Sequence, residues 1–119
     1  MTRTVLVVDD HAGFRAIARA LVEAGGMTVV GEAASGAEAL ALCGASDPDL
    51  VLLDIQLPDI DGFEVRERML RRERPPAVLL TSTRRAGAYG GRLTDPVPIP
   101  FVAKDDLSVA ALVDLLNAR

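Results

Sequence analysis

The sequence has few of the residues that stabilise small secreted proteins and none of the long apolar runs of membrane proteins. Cys43 is the only cysteine among 119 residues, so no internal disulfide can form and a reducing compartment is expected. No apolar run approaches the roughly 20 residues of a membrane span. The N-terminal residues Met1 to Thr4 lead directly into an aliphatic run, without the apolar region of a signal peptide. These absences predict a soluble, cytoplasmic protein with no membrane contact.

Aromatic residues and basic clusters are also scarce. The chain has three phenylalanines, one tyrosine and no tryptophan, so valine, leucine and alanine must fill the core. The formal net charge is −4 and no basic stripe is present, which argues against direct nucleic-acid binding by this chain. Half of the residues are hydrophobic. Composition and length together predict one compact domain over residues 1–119.

What the sequence does contain is an alternation of short aliphatic runs with helical patterns. The runs cover 4–8, 27–33, 50–54, 77–81 and 101–103. Strands that alternate with amphipathic helices predict a parallel sheet with right-handed crossovers and helices on both faces. Five strands suit the flavodoxin-like (βα)5 α/β fold, a three-layer α/β/α arrangement with strand order 2-1-3-4-5.

The helical segments differ in how clearly they are marked. In the first helix, i, i+3, i+4 spacing predicts a core face of Phe14, Ile17, Ala18, Leu21 and Val22. The second should begin at Ser35, with Glu38 in a capping box, and bury Ala37, Leu40 and Ala41. A third is predicted over 63–72 and a last one over 107–117.

Segment 84–100 is the least regular part of the sequence. It contains Gly87, Gly90 and Gly91, and each glycine weakens a helix by about 1 kcal/mol relative to alanine. The helix expected between the fourth and fifth strands should therefore be short or frayed. Pro96, Pro98 and Pro100 predict an extended approach to the fifth strand.

Polar side chains stand at the carboxyl ends of four predicted strands. Asp9 and Asp10 follow the first strand, Asp54 ends the third, Thr81 the fourth, and Lys104 follows the fifth. The order 2-1-3-4-5 brings these ends to one edge, at the switch point where open α/β sheets bind ligands. Three converging carboxylates repel one another unless a cation lies between them. Oxygen ligands of this kind suit Mg²⁺.

The same constellation can support phosphoryl transfer. A Mg²⁺ ion, a lysine ammonium and a threonine hydroxyl around one oxygen nucleophile can stabilise a transferring phosphoryl group. Asp54 stands alone at the end of its strand and is the natural nucleophile. An aspartyl phosphate is the expected product.

These motifs, taken in order, resemble the receiver domain of two-component response regulators over essentially the whole chain. The matching segments are Val5-Leu-Val-Val-Asp-Asp-His11, Val51-Leu-Leu-Asp-Ile-Gln-Leu-Pro58, Asp61-Gly62, Leu79-Leu-Thr81 and Phe101-Val-Ala-Lys104. Each motif is weak by itself, but their order and spacing are specific. The segment 8–12 further resembles receivers attached to helix-turn-helix DNA-binding domains, which favours a role in transcription regulation.

The resemblance implies a role for each site residue. Asp54 would accept a phosphoryl group from a sensor histidine kinase or a small phosphodonor. The Mg²⁺ ligands would be Asp9, Asp10, Asp54 and the backbone carbonyl of Gln56. Thr81 and Lys104 would contact the phosphoryl oxygens, and Phe101 occupies the position of the switch aromatic. The domain would then be a signalling phosphoacceptor, with intrinsic phosphotransfer and autodephosphorylation chemistry, rather than a metabolic enzyme.

Two other functions fit parts of the pattern. A pseudo-receiver that binds without accepting phosphate is one, because Ser82 replaces a common alanine and segment 84–100 is irregular. A Mg²⁺-dependent phosphohydrolase is the other, although Gln56 occupies the position where such enzymes carry their general acid.

Neighbouring polar residues and the partners are predicted with less detail. His11 is expected not to be a metal ligand, because Mg²⁺ rarely takes imidazole, and Asp59 and Asp61 fit turn chemistry. The chain is expected to be either a single-domain regulator or the receiver of a longer transcription factor. Its partners would then be an output domain or a downstream protein, and a phosphorylation-dependent dimer is one option for its assembly.

Overall fold

The five aliphatic runs form one parallel sheet in the computed structural model, which describes residues 2–94 and 97–118. The strands are β1 (Thr4–Val8), β2 (Thr28–Ala33), β3 (Leu50–Asp54), β4 (Ala77–Ser82) and β5 (Phe101–Ala103). Their order is β2-β1-β3-β4-β5 and every neighbouring pair is parallel. The predicted flavodoxin-like topology is confirmed, with β1 and β3 adjacent at the switch point.

Three α-helices and one 3₁₀ segment connect the strands, and a second 3₁₀ segment and a fourth α-helix follow the last strand in the described part of the chain. The helices are α1 (Ala12–Ala24), α2 (Gly36–Ser46), α3 (Gly62–Leu70) and α4 (Val109–Asn117), and the 3₁₀ segments are Ala86–Leu93 and Lys104–Asp106. The last helix begins two residues later than predicted because Ser108 is its N-cap and accepts a hydrogen bond from the Ala111 N–H. None of the helices in the described ranges is long and apolar enough to cross a bilayer.

The crossover between β4 and β5 is not an α-helix. The chain forms 3₁₀ turns over Ala86–Leu93, and Gly90 interrupts them with a positive φ of 56°. This agrees with the expectation of a short or frayed helix, because glycine adopts that backbone region without steric penalty. Pro96, part of the predicted extended approach to β5, lies outside the described residues.

Successive side chains of the central strands enter two separate core layers. One layer lies between the sheet and α2 and α3, and the other between the sheet and α1 and α4. From the central strands β1, β3 and β4, the first layer contains Leu6, Val8, Val51, Leu53, Val78 and Leu80, and the second contains Val5, Val7, Leu50, Leu52, Ala77 and Leu79. This alternation explains why the runs are continuously aliphatic, since both faces of a doubly wound sheet are buried.

Two predicted helix faces are wrong in part. On α1, Ile17 is 58% exposed, because the neighbouring stripe of Ala18 and Val22 faces the sheet. On α2 the buried residues are not Ala37 and Ala41, which are exposed, but Gly36, Ala39 and Cys43. Apart from Glu38 in its first turn and Ser46 at its end, α2 consists of apolar residues and glycines on all sides, so hydrophobic periodicity could not select its buried face.

Asp59 has a role beyond the predicted turn chemistry. It fixes the N-terminus of α2. Its two carboxylate oxygens accept hydrogen bonds from the N–H groups of Gly36, at 2.7 Å, and Ala37, at 3.0 Å. The β3–α3 loop is thereby tied to the N-terminus of α2, where a negative charge is favourable. Asp61 caps α3, accepting from the Phe63 N–H at 2.7 Å.

Candidate functional site

The carboxyl ends of β1, β3 and β4 place their polar residues beside one another. Val8 pairs with Leu53 in the β1–β3 register, and Asp54 pairs directly with Thr81 in the β3–β4 register. Asp9 follows Val8 and is completely buried. The two aspartates therefore share a largely water-excluded edge of the sheet because the strand register puts them there.

Lys104 contacts both of these buried carboxylates. Its Nζ lies 2.5 Å from Asp9 Oδ2 and 3.5 Å from Asp54 Oδ2. The ammonium also lies 4.5 Å from the centre of the Phe14 ring, a cation–π arrangement. A single lysine thus partly neutralises two acids, and the site keeps an excess of negative charge.

Burial and the excess negative charge together raise the pKa of Asp54. Burial, followed by the neighbouring charge of Asp9, raises the pKa of Asp54 to about 6, against the opposing effects of the Lys104 ammonium and the Gln56 N–H. That N–H donates to Asp54 Oδ1 at 3.2 Å. A carboxyl with such a raised pKa lies in an environment that favours an additional positive charge.

The acidic cluster could supply that charge by holding a metal ion. Ligand atoms of Asp9, Asp10, His11 and Asp54 all lie within 4.8 Å of one another. Asp10 and His11 form the exposed side of the cluster, with His11 Nδ1 3.2 Å from Asp9 Oδ1 and 3.0 Å from Asp10 Oδ1. Carboxylate oxygens dominate this donor set, so it fits a hard divalent cation, with room for water on the exposed side.

Thr81 carries a hydroxyl with unused hydrogen-bonding capacity. The side chain is buried, and Oγ1 has no hydrogen-bond partner among the described residues. Its neighbour Ser82 is also buried, and the Ser82 and Tyr89 hydroxyls are 2.5 Å apart. An unpaired buried hydroxyl is unusual in proteins, and this one, on the residue that pairs with Asp54 across the β3–β4 register, is available to a ligand.

Phe101 lies at the start of β5 and is one end of a row of three aromatic rings. The Tyr89 ring lies between Phe101, with centroids 6.1 Å apart, and Phe63, with centroids 5.9 Å apart, in edge-to-face arrangements. Phe101 is half-buried. The ring therefore contacts the 3₁₀ segment Ala86–Leu93 through Tyr89. The switch role of Phe101 remains a prediction.

Sequence reasoning missed two residues that contact the site and a third that contacts Ser82, the neighbour of Thr81 in β4. Phe14 lies beneath Lys104, Arg15 donates to the Asp9 carbonyl at 2.7 Å, and Tyr89 holds Ser82. The first two could have been found, because α1 begins directly after the acidic pair. Helical side chains lean towards the N-terminus, so residues of its first turn reach back to the end of β1.

The fold and the site together define a flavodoxin-like α/β domain with an acidic site at its switch point. The sequence model of the family described as the response regulator receiver domain matches residues 5–113, and the chain belongs to this family. It is a receiver domain of two-component response regulators.

Similar proteins of known class agree with this assignment. A transcriptional regulator of Pseudomonas aeruginosa is 40% identical over 100 residues, covering 84% of this chain and 48% of the relative. The transcriptional regulatory protein NarL of Mycobacterium tuberculosis is 38% identical over 119 residues, covering 97% of this chain and 55% of the relative. The chain therefore spans about half the length of these relatives.

A solved structure shows the same fold at comparable similarity. The signal receiver domain of NarL from Mycobacterium tuberculosis superposes with a TM-score of 0.85 and is 37% identical. The match covers 99% of this chain and 98% of that one.

Proposed function

We propose that this receiver accepts a phosphoryl group on Asp54 in a Mg²⁺-dependent reaction. One observation carries the proposal: a buried carboxylate with a raised pKa lies beside a second buried acid, a lysine and an unpaired threonine hydroxyl. Phosphoryl transfer depends on positioning and on charge stabilisation. This arrangement provides both.

The residues of the acidic cluster fit a Mg²⁺ ion. Asp9, Asp10 and Asp54 would supply carboxylate oxygens, and the backbone carbonyl of Gln56 would be a further ligand. When bound, the cation would neutralise the mutual repulsion of these acids and the charge of the incoming phosphoryl oxygens. His11 remains outside the proposed ligand set, because imidazole is a poor ligand for this hard ion.

The reaction is a substitution at phosphorus. An Asp54 carboxylate oxygen forms a bond to phosphorus while the phosphorus–nitrogen bond of a kinase phosphohistidine breaks, and the departing imidazole nitrogen takes a proton. Lys104 Nζ, 3.5 Å from Asp54 Oδ2, would donate to one phosphoryl oxygen and the Thr81 hydroxyl to another. In autodephosphorylation, water attacks phosphorus, the bond to Asp54 breaks, and inorganic phosphate leaves.

The proposed context follows from the relatives. Both curated relatives are transcriptional regulators about twice as long as this chain, so we propose that residues 1–119 act as one receiver domain in transcription control. The phosphodonor would be a cytoplasmic sensor histidine kinase. Movement of Thr81 towards the phosphoryl group, with reorientation of Phe101, would pass the signal to an output domain or a downstream protein.

The test uses a small acyl-phosphate donor with Mg²⁺. Wild-type protein should acquire an acid-stable, base-labile label, and Asp54→Asn should acquire none. Asp114→Asn, which removes an exposed aspartate of α4 far along the chain, is the matched control and should label normally. Label that persists in Asp54→Asn contradicts the proposal. Wild-type protein that neither labels nor binds Mg²⁺ indicates a pseudo-receiver.

A further inference from the structure

We propose that Arg15 is a positioning residue for the metal-binding carboxylates, acting through the peptide group that joins Asp9 to Asp10. Glu32 holds its guanidinium in place through its Oε1 oxygen, while Arg19 contacts the other carboxylate oxygen of Glu32. This inference rests on the proposed function, since it concerns how the acidic pair is presented to the cation.

The guanidinium of Arg15 makes two contacts that only a forked side chain can make together. Its Nη1 donates to the Asp9 backbone carbonyl at 2.7 Å, and its Nε donates to Glu32 Oε1 at 3.1 Å. The Arg15 side chain is 20% exposed. It therefore bridges α1, the end of β1 and β2 in a partly buried position.

The acceptor is the carbonyl of the peptide that links the two acids. The Asp9 N–H donates to the Ala33 carbonyl at 2.9 Å, which fixes the preceding peptide to β2. Arg15 fixes the next peptide group, which joins Asp9 to Asp10. Since a peptide group is planar, holding its carbonyl sets the direction in which the chain enters Asp10. The Asp10 side chain is 35% exposed, so the direction of its backbone bears strongly on where its carboxylate lies.

Glu32 keeps the guanidinium oriented. Its second oxygen, Oε2, accepts from Arg19 Nε at 2.8 Å. The hydrogen bond from Arg19 is the largest cause of a lowered pKa at Glu32, so the carboxylate remains charged and both of its oxygens are occupied. Groups that orient metal ligands in this indirect way typically change metal affinity 10–100-fold when removed.

Replacing Arg15 has two opposite effects on cation binding, one from the loss of its charge and one from the loss of its hydrogen bond to the Asp9 carbonyl. Removing a positive charge near the acidic cluster should strengthen cation binding, whereas losing the anchor should weaken it. Arg19 separates the two effects because it pairs with the same Glu32 but makes no contact with Asp9 among the described residues. Arg15→Met and Arg19→Met remove the same charge, and only the first removes the anchor.

The experiment measures Mg²⁺ affinity by calorimetric titration of the full chain. Arg15→Met should bind Mg²⁺ about 10–100-fold more weakly than wild type, and Arg19→Met should stay within about threefold of wild type. Urea unfolding without Mg²⁺ verifies that both variants fold. If Arg15→Met does not fold, Arg15→Lys replaces it, because lysine keeps the charge but not the fork, and it should weaken binding in the same direction.

A second measurement tests the hydrogen bond from Arg15 to the Asp9 carbonyl directly. Amide hydrogen exchange at Asp10 should be faster in the Arg15 variant than in the Arg19 variant. Equal Mg²⁺ affinities of the two variants, with wild-type binding intact, overturn the inference and leave the proposed function standing. A wild-type protein that does not bind Mg²⁺ overturns the proposed function and this inference with it.

Discussion

The Asp54 carboxylate should destabilise the metal-free protein, so Asp54→Asn should be more stable than wild type. The residue is only 3% exposed, and the ammonium that contacts its carboxylate, that of Lys104, is shared with Asp9. Burial and the Asp9 charge raise the pKa of Asp54 to about 6. Asparagine keeps the shape of the side chain and removes the charge that the site disfavours.

The sign of the effect on stability, and the pH range over which it appears, follow from the pKa values of Asp54 in the folded and the unfolded chain. A carboxyl with a higher pKa in the folded chain binds its proton more tightly there, so its contribution to stability is complete below the unfolded-state pKa. That value is 3.8, and the contribution is lost as the pH rises through about 6. Two pKa units correspond to about 3 kcal/mol. Solvent screening at the exposed side, where Asp10 and His11 lie, reduces the expected effect to about 1–2 kcal/mol.

Urea unfolding in the presence of a chelator measures this effect. At about pH 8, Asp54→Asn should exceed wild type by about 1–2 kcal/mol in the free energy of unfolding, and the difference should shrink towards about pH 4. Asp114→Asn should show no such change. A difference that is missing at high pH, or that does not vary with pH, refutes the reasoning. Added Mg²⁺ should stabilise wild type more than Asp54→Asn and so reduce this difference, because the variant has lost one of the proposed ligands and binds the ion more weakly.

Two further substitutions test contacts that support the site. Asp59→Ala removes the acceptor of the Gly36 N–H and should lower the melting temperature. That loss should disappear as the pH falls through the carboxyl's lowered pKa, and an unchanged melting temperature near neutral pH would contradict the capping role. Tyr89→Phe removes the hydroxyl that contacts Ser82 and should lower the free energy of unfolding by about 1 kcal/mol in urea. No loss in this variant would show that the contact contributes nothing to stability.

Most of the fold could be predicted because its signals are strong and local. The central strands are continuous aliphatic runs with buried neighbours on both faces, and each ends at a polar residue. Once five such runs imply the strand order, topology alone brings Asp9, Asp54 and Lys104 together. Here the site follows from the fold rather than from any motif considered separately.

What could not be predicted depends on contacts between residues distant in the sequence. Asp59 caps a helix that begins 23 residues earlier, and no local pattern distinguishes it from a turn aspartate. The rotation of α2 is set by such contacts and by close packing, for its own apolar surface has no preferred side. The β3–α3 loop also needs Gly62 for space, because a Cβ there would lie 2.5 Å from the Asp54 carbonyl oxygen.

The 3₁₀ segment Ala86–Leu93 shows how a poor helix can still contact residues next to the site. Its glycines give it little intrinsic helical stability, so side chains hold it in place: Tyr89 contacts Ser82 and Phe101, and the Arg92 guanidinium lies 3.9 Å from the centre of the Phe63 ring. Ser82 directly follows Thr81 in β4. A displacement of the β4 backbone at Thr81 would therefore also displace Ser82 and bear on its contact with Tyr89. A segment held by a few side chains needs less free energy to rearrange than a full helix, which makes its irregular sequence compatible with a reporting role.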